Sequence, residues 1–278
     1  MIFDVAILNG QRLPVDQARI PVNNQALFAS FGVYETMKVV QGRPFYRDDH
    51  LERLLVSARL LGIDLQVDVP ILREWFNLLA DVDRSATWSL RIMALGAVQP
   101  SDQLIIAMWA EPLPTYPASL YQRGAAAILF AGQRSLPSCK SLNTLVNFLA
   151  RRAAQQAGAL EGILFHNNQL TEGARSNIFA VQQGRLITPP AADVLSGITR
   201  EIILHVMENS RYAVTENPLV ADASLYDEFF ITSTSMHVMP ITQIDDRPVG
   251  NGQVGPITRE AMARFDTHYR KMMGLDAA

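Results

Sequence analysis

The sequence has a single cysteine, Cys139, among its 278 residues. One thiol cannot form an internal disulfide, so the fold cannot depend on such cross-links, and a reducing cytoplasm suits the chain. No run of lysine or arginine stands out, and the formal net charge is −3. This charge pattern gives little support to a role on nucleic acid or on a membrane surface. We therefore expect a cytoplasmic protein that binds neither nucleic acid nor membranes.

Long apolar runs and nucleotide motifs are missing as well. No stretch approaches the roughly 20 apolar residues of a membrane-spanning helix. The N-terminal segment MIFDVAILNGQR lacks the basic region and apolar core of a signal peptide. The five histidines stand singly, which argues against a metal site, and there is no Walker or dinucleotide-binding glycine pattern. What is present, 49% apolar and 18% charged residues, is typical of a well-packed globular protein.

The first half of the chain mixes strand and helix patterns. Asn9-Gly10 separates two short apolar segments and predicts a hairpin. GVYETMKVV predicts a strand from its β-branched and aromatic content, with FYR as its partner. The segment RDDHLERLLVSARLLGI has a helical apolar stripe, and Asp48 or Asp49 is expected to cap its start. These elements predict an α+β fold.

The proline-containing stretch EPLPTYPASLYQRG is the best linker candidate. We therefore predict a small N-terminal domain over 1–113, an interdomain linker over 114–122 and a larger domain over 123–278. In the larger domain, helices are predicted from about Asn143 to Ala157, in GITREIILHVMEN and near the C-terminus.

Several segments could carry chemistry. Lys140 precedes a helix start, where a positive charge gains nothing from the helix dipole. GITR, from Gly197 to Arg200, opens a helix whose free N–H groups and Thr199 hydroxyl suit a phosphate, although a simple cap is the commoner case. TSTS follows a strand with small hydroxyl residues that would let an anion approach closely. By themselves, Glu172 could equally be an exposed loop acid and Arg53 a solvated helix arginine.

Six segments occur together in a family-like order: FGVYETMKVVQGRPFYRDDHLERLLVSARLLGI, KSLNTLVNFLARRAA, LTEGARSNIFAV, LITPP, GITR and FFITSTS. In these the chain resembles the fold-type IV pyridoxal-phosphate enzymes, which include branched-chain aminotransferases, D-amino-acid aminotransferases and aminodeoxychorismate lyases. The resemblance implies a two-domain α+β fold, with a smaller N-terminal α/β domain and a larger C-terminal domain that has a β-barrel-like core. It also implies pyridoxal 5'-phosphate (PLP) as cofactor and a homodimer.

The resemblance also assigns roles to individual residues. Lys140 matches the catalytic lysine that holds the cofactor as a Schiff base. The other cofactor-binding matches are Arg53 for the phosphate, Glu172 for the pyridine nitrogen, Leu195 for a face of the ring, Ile198 and Thr199 for the phosphate-binding helix start, and Thr234 for a second phosphate contact. The substrate-binding candidates are Tyr34, Arg91 and Ser235. Arg134 corresponds to an arginine near the ring in some members.

The implied activity is transfer of an amino group between an amino acid and a 2-keto acid. Leu95 stands where D-amino-acid aminotransferases place a carboxylate-trapping arginine. Arg91, earlier in the same strand, either serves a substrate carboxylate or is structural. Specificity for D- or branched-chain L-amino acids therefore stays open. Two alternatives remain: a lyase-type PLP β-elimination, and a non-catalytic binding protein of the same fold.

Overall fold

The computed structural model describes residues 1–99, 102–208, 210–212 and 214–275. Its Cα positions divide into two compact units. The first comprises Met1–Pro114 together with Cys139–Asn143, and the second comprises Thr115–Ser138 and the chain from Thr144 onward. The protein thus has the expected two-domain α+β fold. The continuous limits 1–113, 114–122 and 123–278 remain a prediction.

The first unit is built on a six-stranded antiparallel sheet in the order β2-β1-β6-β5-β3-β4. Its strands are β1 (Val5–Leu8), β2 (Gln11–Pro14), β3 (Gly32–Val40), β4 (Arg43–Pro44), β5 (Thr87–Leu95) and β6 (Ile105–Pro112). Its helices are α1 (Gln25–Ala29), α2 (Arg47–Leu60) and α3 (Val69–Ala80). Two short 3-10 turns, Ile2–Asp4 and Val15–Gln17, flank the first hairpin.

One face of this sheet packs on α2 and α3. Met37 and Leu90 from the sheet join Leu54 and Phe76 from the helices in one buried cluster. The start of helix α3 is stabilised by Pro70 in its first turn and by the Asp68 side chain, which accepts a hydrogen bond from the N–H of Ile71 at 3.0 Å. The opposite face of β3 carries alternate residues that are only partly buried, among them Tyr34.

The second unit contains a ten-stranded mixed sheet, curled into a half-barrel, in the order β12-β11-β10-β14-β15-β7-β8-β9-β13, with β16 paired to β15. The strands are β7 (Ala125–Ala131), β8 (Glu161–His166), β9 (Gln169–Gly173), β10 (Asn177–Gln182), β11 (Arg185–Thr188), β12 (Val214–Glu216), β13 (Leu219–Val220), β14 (Glu228–Ser233), β15 (His237–Ile244) and β16 (Arg247–Pro248). The helices are α4 (Ala118–Arg123), α5 (Leu145–Gln156), α6 (Ile198–Glu208) and α7 (Pro256–Met273), with 3-10 turns at Ala191–Asp193 and Ala223–Leu225. None of the helices in the described ranges combines the length and the apolar character needed to cross a membrane.

Two local expectations are wrong. The start of α2 has Tyr46 at the N-cap position with φ +53, so neither Asp48 nor Asp49 caps it; both lie in the first turn. The strand that forms the hairpin with β3 is Arg43–Pro44 rather than FYR. The proline-rich stretch contains the short helix α4, because Pro117 fixes a backbone angle that suits a helix start.

Candidate active site

Lys140 lies in a short segment that runs along the edge of β3. The N–H of Tyr34 donates to the Lys140 carbonyl at 3.0 Å, and Val33 forms an isolated β-bridge with Ser141. The N–H of Lys140 donates to the Ser57 hydroxyl of α2 at 3.1 Å. Three backbone contacts therefore fix the main chain on both sides of the lysine.

The side chain of Lys140 is only partly exposed, and its Nζ lies 4.6 Å from the centre of the Tyr34 ring. A cation over an aromatic face at this distance is an attractive contact. The structure thus brings together two predicted site residues, the catalytic lysine and the substrate-binding tyrosine.

Arg53 is held by a carboxylate that sequence reasoning left out of the site. Its Nε and Nη2 donate to the two oxygens of Glu35 at 2.9 and 2.8 Å, and Glu35 Oε1 also accepts from the N–H of Thr36 at 2.7 Å. Glu35 is fully buried. Burial opposes its ionisation, but the adjacent charge of Arg53, together with His50 and Lys140, outweighs that effect and holds the pKa of the Glu35 carboxyl well below its ordinary value.

His50 completes this buried group. Its Nδ1 lies 3.1 Å from Glu35 Oε1, and its ring is fully buried. Burial lowers the pKa of His50, although Glu35 opposes the shift. The signal that could have found Glu35 was its position on the same face of β3 as Val33, Met37 and Val39, since a lone acid on an apolar face needs a partner.

Arg91 lies on the other face of the sheet, which it shares with Tyr34. It stands directly opposite Thr36, and its Nη1 donates to the Thr36 hydroxyl at 2.7 Å. Its Nε donates to Glu111 at 2.8 Å. The side chain is 38% exposed. The arginine is therefore oriented by two neighbours on an open face.

In the second unit, Glu172 ends β9 and is buried. Arg134 Nη1 lies 3.4 Å from its Oε1, and the N–H of Leu195 donates to its Oε2 at 3.3 Å. The carboxylate therefore has both a positive charge and a backbone donor beside it. Three residues that the resemblance assigned to the ring, namely Glu172, Leu195 and Arg134, lie together.

The start of α6 has the features of an anion site. Ile198 and Thr199 form its first turn, and the N–H groups of a first turn have no partner within the helix. Among the residues that the structure describes, no side chain accepts from these two N–H groups, and the Thr199 hydroxyl is buried without a hydrogen-bond partner. Gly197 is required before them because a Cβ there would collide with Asn177 Oδ1.

Thr234 and Ser235 lie in the tight turn between β14 and β15, and both are partly buried. Sequence reasoning missed a third hydroxyl nearby, that of Thr232. It is buried, it lacks a hydrogen-bond partner among the described residues, and it pairs across the sheet with Asn177. No pattern in the sequence distinguishes Thr232 from the other hydroxyl residues of FFITSTS.

These residues fit PLP. An unpartnered, buried hydroxyl costs stability unless a ligand pairs with it. Thr199 is such a group, at a helix start that attracts negative charge, which suits a phosphate. The buried carboxylate of Glu172 suits a protonated pyridine nitrogen, and the Lys140 amine suits an aldehyde.

Comparisons with known proteins find similar sequences and similar folds. The family model described as "Amino-transferase class IV" matches residues 32–244. The D-alanine aminotransferase of Staphylococcus aureus (strain COL) is 31% identical over 271 residues, covering 94% of this chain and 96% of that protein. The D-alanine aminotransferase of Bacillus licheniformis is 30% identical over 262 residues, covering 91% and 93%. The branched-chain amino acid aminotransferase of Escherichia coli superposes with a TM-score of 0.87 at 25% identity, covering 95% and 94%.

The chain belongs to the class IV aminotransferases, enzymes that move an amino group between an amino acid and a 2-keto acid with PLP as cofactor. These findings favour amino-group transfer over the lyase and the non-catalytic alternatives.

Proposed function

We propose that Lys140 is the lysine that carries PLP and moves the proton during transamination. Glu172 faces the pyridine nitrogen, Leu195 packs on the ring, and Arg53, Ile198, Thr199 and Thr234 bind the phosphate. The observation that carries this assignment is the start of α6, where no side chain among the described residues accepts from the N–H groups of Ile198 and Thr199 and the Thr199 hydroxyl is buried without a partner. A helix start with an unused hydroxyl supplies what a phosphate needs.

The chemistry divides between cofactor and chain. When bound, PLP supplies an aldehyde carbon that takes up the amino group and a ring that takes up electrons from the substrate Cα. Once the substrate amine has displaced Lys140 from the aldehyde carbon, the freed Nζ would take the proton from the substrate Cα and deliver it to that carbon. Glu172 keeps the pyridine nitrogen protonated. Arg134, beside Glu172, favours the charged carboxylate that this task needs.

Tyr34, Arg91 and Ser235 contact the substrate. Arg91 offers a planar fork suited to a carboxylate, and Thr36 and Glu111 hold it in place on the face that carries Tyr34. Leu95 is fully buried in a small apolar cluster and cannot meet a substrate, which supports the assignment of the carboxylate to Arg91.

A donor screen tests this function. The purified protein is loaded with PLP and mixed with 2-oxoglutarate and one amino acid, and glutamate formation is measured. D-Alanine is the first donor to test and L-leucine the second, because the similar proteins are D-alanine and branched-chain aminotransferases. Activity with either one supports the proposal. Turnover of aminodeoxychorismate to pyruvate, without glutamate formation from any amino donor, contradicts it and supports the lyase.

We also propose a cytoplasmic homodimer with domains at 1–113 and 123–278. The one cysteine, Cys139, is buried and forms no disulfide, which suits a reducing compartment. Leu145 and Phe148 on α5 are 65% and 59% exposed, and such apolar surface is typical of an interface. Light scattering of the purified protein should give the mass of two chains, and the mass of one chain would contradict the dimer.

A further inference from the structure

Arg200, the third residue of α6, has a buried side chain that the proposed function does not use. It is among the largest fully buried side chains of the protein. A fully buried arginine is uncommon, because moving its charge out of water is costly unless it is paired and hydrogen-bonded. Its position, directly after Thr199, suggests that its partners matter to the phosphate site.

The guanidinium links α6 to the loop that precedes it. Arg200 Nη2 donates to the Pro189 carbonyl at 3.1 Å and lies 3.2 Å from Glu216 Oε2. Glu216 Oε2 also accepts from the N–H of Ala191 at 2.8 Å. The start of the loop over 189–197 is thus tied both to the first turn of α6 and to the end of β12.

The end of the same loop is held as well. Arg200 Nη1 donates to Glu201 at 2.8 Å, and Glu201 accepts from the Ser196 hydroxyl at 3.2 Å. The Leu195 carbonyl accepts from Asn177 Nδ2 at 2.8 Å. The loop between Pro189 and Gly197 is therefore fixed at both ends, with Arg200 as the shared partner.

We infer that Arg200 is a positioning residue for the cofactor phosphate. It does not touch the phosphate; it holds the loop and the first turn of α6 so that the Ile198 and Thr199 donors keep the geometry a phosphate requires. This inference rests on the proposed function, since it presumes that α6 binds the phosphate of PLP.

The chain offers a matched control. Helix α7 contains the same sequence, Ile-Thr-Arg-Glu, at residues 257–260, one position later than in α6 because the helix begins at Pro256. Its arginine, Arg259, is exposed and makes no ion pair within the described residues. Arg200→Met and Arg259→Met therefore make the same chemical change in the same four-residue sequence near a helix start, but only the first removes the link to the loop.

The experiment compares two probes, PLP and pyridoxal, which lacks the phosphate. Their dissociation constants are measured by equilibrium dialysis with the apo forms of the full chain. Wild type should bind PLP more tightly than pyridoxal. Arg200→Met should reduce the ratio of the pyridoxal dissociation constant to the PLP dissociation constant about tenfold or more. The affinity for pyridoxal should change by less than about threefold, since a general loss of structure would weaken the binding of both probes. Arg259→Met should leave the ratio unchanged.

Glu216→Gln provides a second variant that is milder, since Glu216 is 41% exposed. It should reduce the ratio about threefold, and it keeps the test decisive if Arg200→Met does not fold. An unchanged ratio in folded Arg200→Met, or in Glu216→Gln if the first variant is unfolded, would overturn the role of Arg200. Equal binding of PLP and pyridoxal by wild type would instead overturn the phosphate site at α6, and with it that part of the proposed function.

Discussion

Two helices of the second unit, α6 and α7, have the same four residues, Ile-Thr-Arg-Glu, near their start but differ in what meets their first turn. In α7, the Glu228 carboxylate of β14 accepts hydrogen bonds from the N–H groups of Ile257 and Thr258 at 3.1 and 2.7 Å. In α6, no side-chain acceptor among the described residues meets the N–H groups of Ile198 and Thr199. The chain therefore supplies the anion for α7 itself, whereas α6 is left for an anion that comes from outside.

This comparison teaches that sequence alone does not decide which helix start binds a phosphate. Both starts have a glycine nearby, the same threonine and the same arginine. The difference is set by a strand residue about 30 positions away, Glu228, which reaches α7 and not α6. Of these two helix starts, the one whose N–H groups meet no side-chain acceptor is the candidate for binding an anion.

The largest effect is expected at Glu35, a fully buried carboxylate that is paired with Arg53. Glu35→Gln leaves Arg53 without its charge partner and should lower the free energy of unfolding by about 3 kcal/mol, because breaking a buried pair exposes the full desolvation cost. Urea unfolding measures this loss. A change below about 1 kcal/mol would show that Arg53 does not depend on Glu35.

The same variant has a pH signature. The pKa of Glu35 in the folded protein lies well below its ordinary value of 4.5, so its contribution to stability is present above that value and is lost as the pH falls below it. Wild type should therefore lose stability more steeply than Glu35→Gln below about pH 4.5. Parallel curves would contradict this account.

The next largest effect comes from giving α6 a carboxylate of its own. Asn177 lies against Gly197, and Asn177→Asp places a negative charge beside the proposed phosphate site. The affinity for PLP should fall about a hundredfold, since like charges a few ångströms apart repel strongly when partly buried. Asn177→Ser removes the same amide donor without adding a charge, so it is the control. Similar losses in both variants would locate the effect in the lost hydrogen bond to Leu195.

The opposite change is Glu228→Gln, which weakens the internal anion of α7. It should lower the free energy of unfolding by about 1–2 kcal/mol, the usual range for a lost helix cap. PLP affinity should stay within about twofold of wild type. A large loss of PLP binding in a variant that remains folded would mean that α7, rather than α6, contributes to the cofactor site.

The smallest effect is expected from the two threonines. Both hydroxyls are buried without a partner among the described residues. Thr199→Val should weaken PLP binding about tenfold, because the hydroxyl is used only when the phosphate is present. Thr258→Val should leave binding unchanged, since Glu228 already fills that helix start. Fluorescence titration of PLP into the two apo variants compares them directly, and equal losses would remove the distinction between the helices.

Much of the fold could be predicted from local patterns. β-Branched and aromatic content indicated strand β3, the apolar stripe of α2 indicated that helix, and helices were also predicted where α5 and α6 lie. Short strands such as β13 and β16, with two residues each, have no period to detect. The site was predicted by resemblance residue by residue, but its supporting contacts were not. Glu35 with Arg53, Ser57 with Lys140 and Arg200 with Pro189 are long-range or backbone contacts that no local pattern encodes.

The most direct test of the account is the identity of the lysine that binds PLP. The chain has only three lysines, Lys38, Lys140 and Lys271. Lys38 is the informative competitor, because it lies on the same face of β3 as Tyr34 and burial lowers its pKa to about 8. Borohydride reduction of the holoenzyme, followed by peptide mass spectrometry, should find the added mass on Lys140 alone. The added mass on Lys38 with Lys140 unmodified would contradict the account.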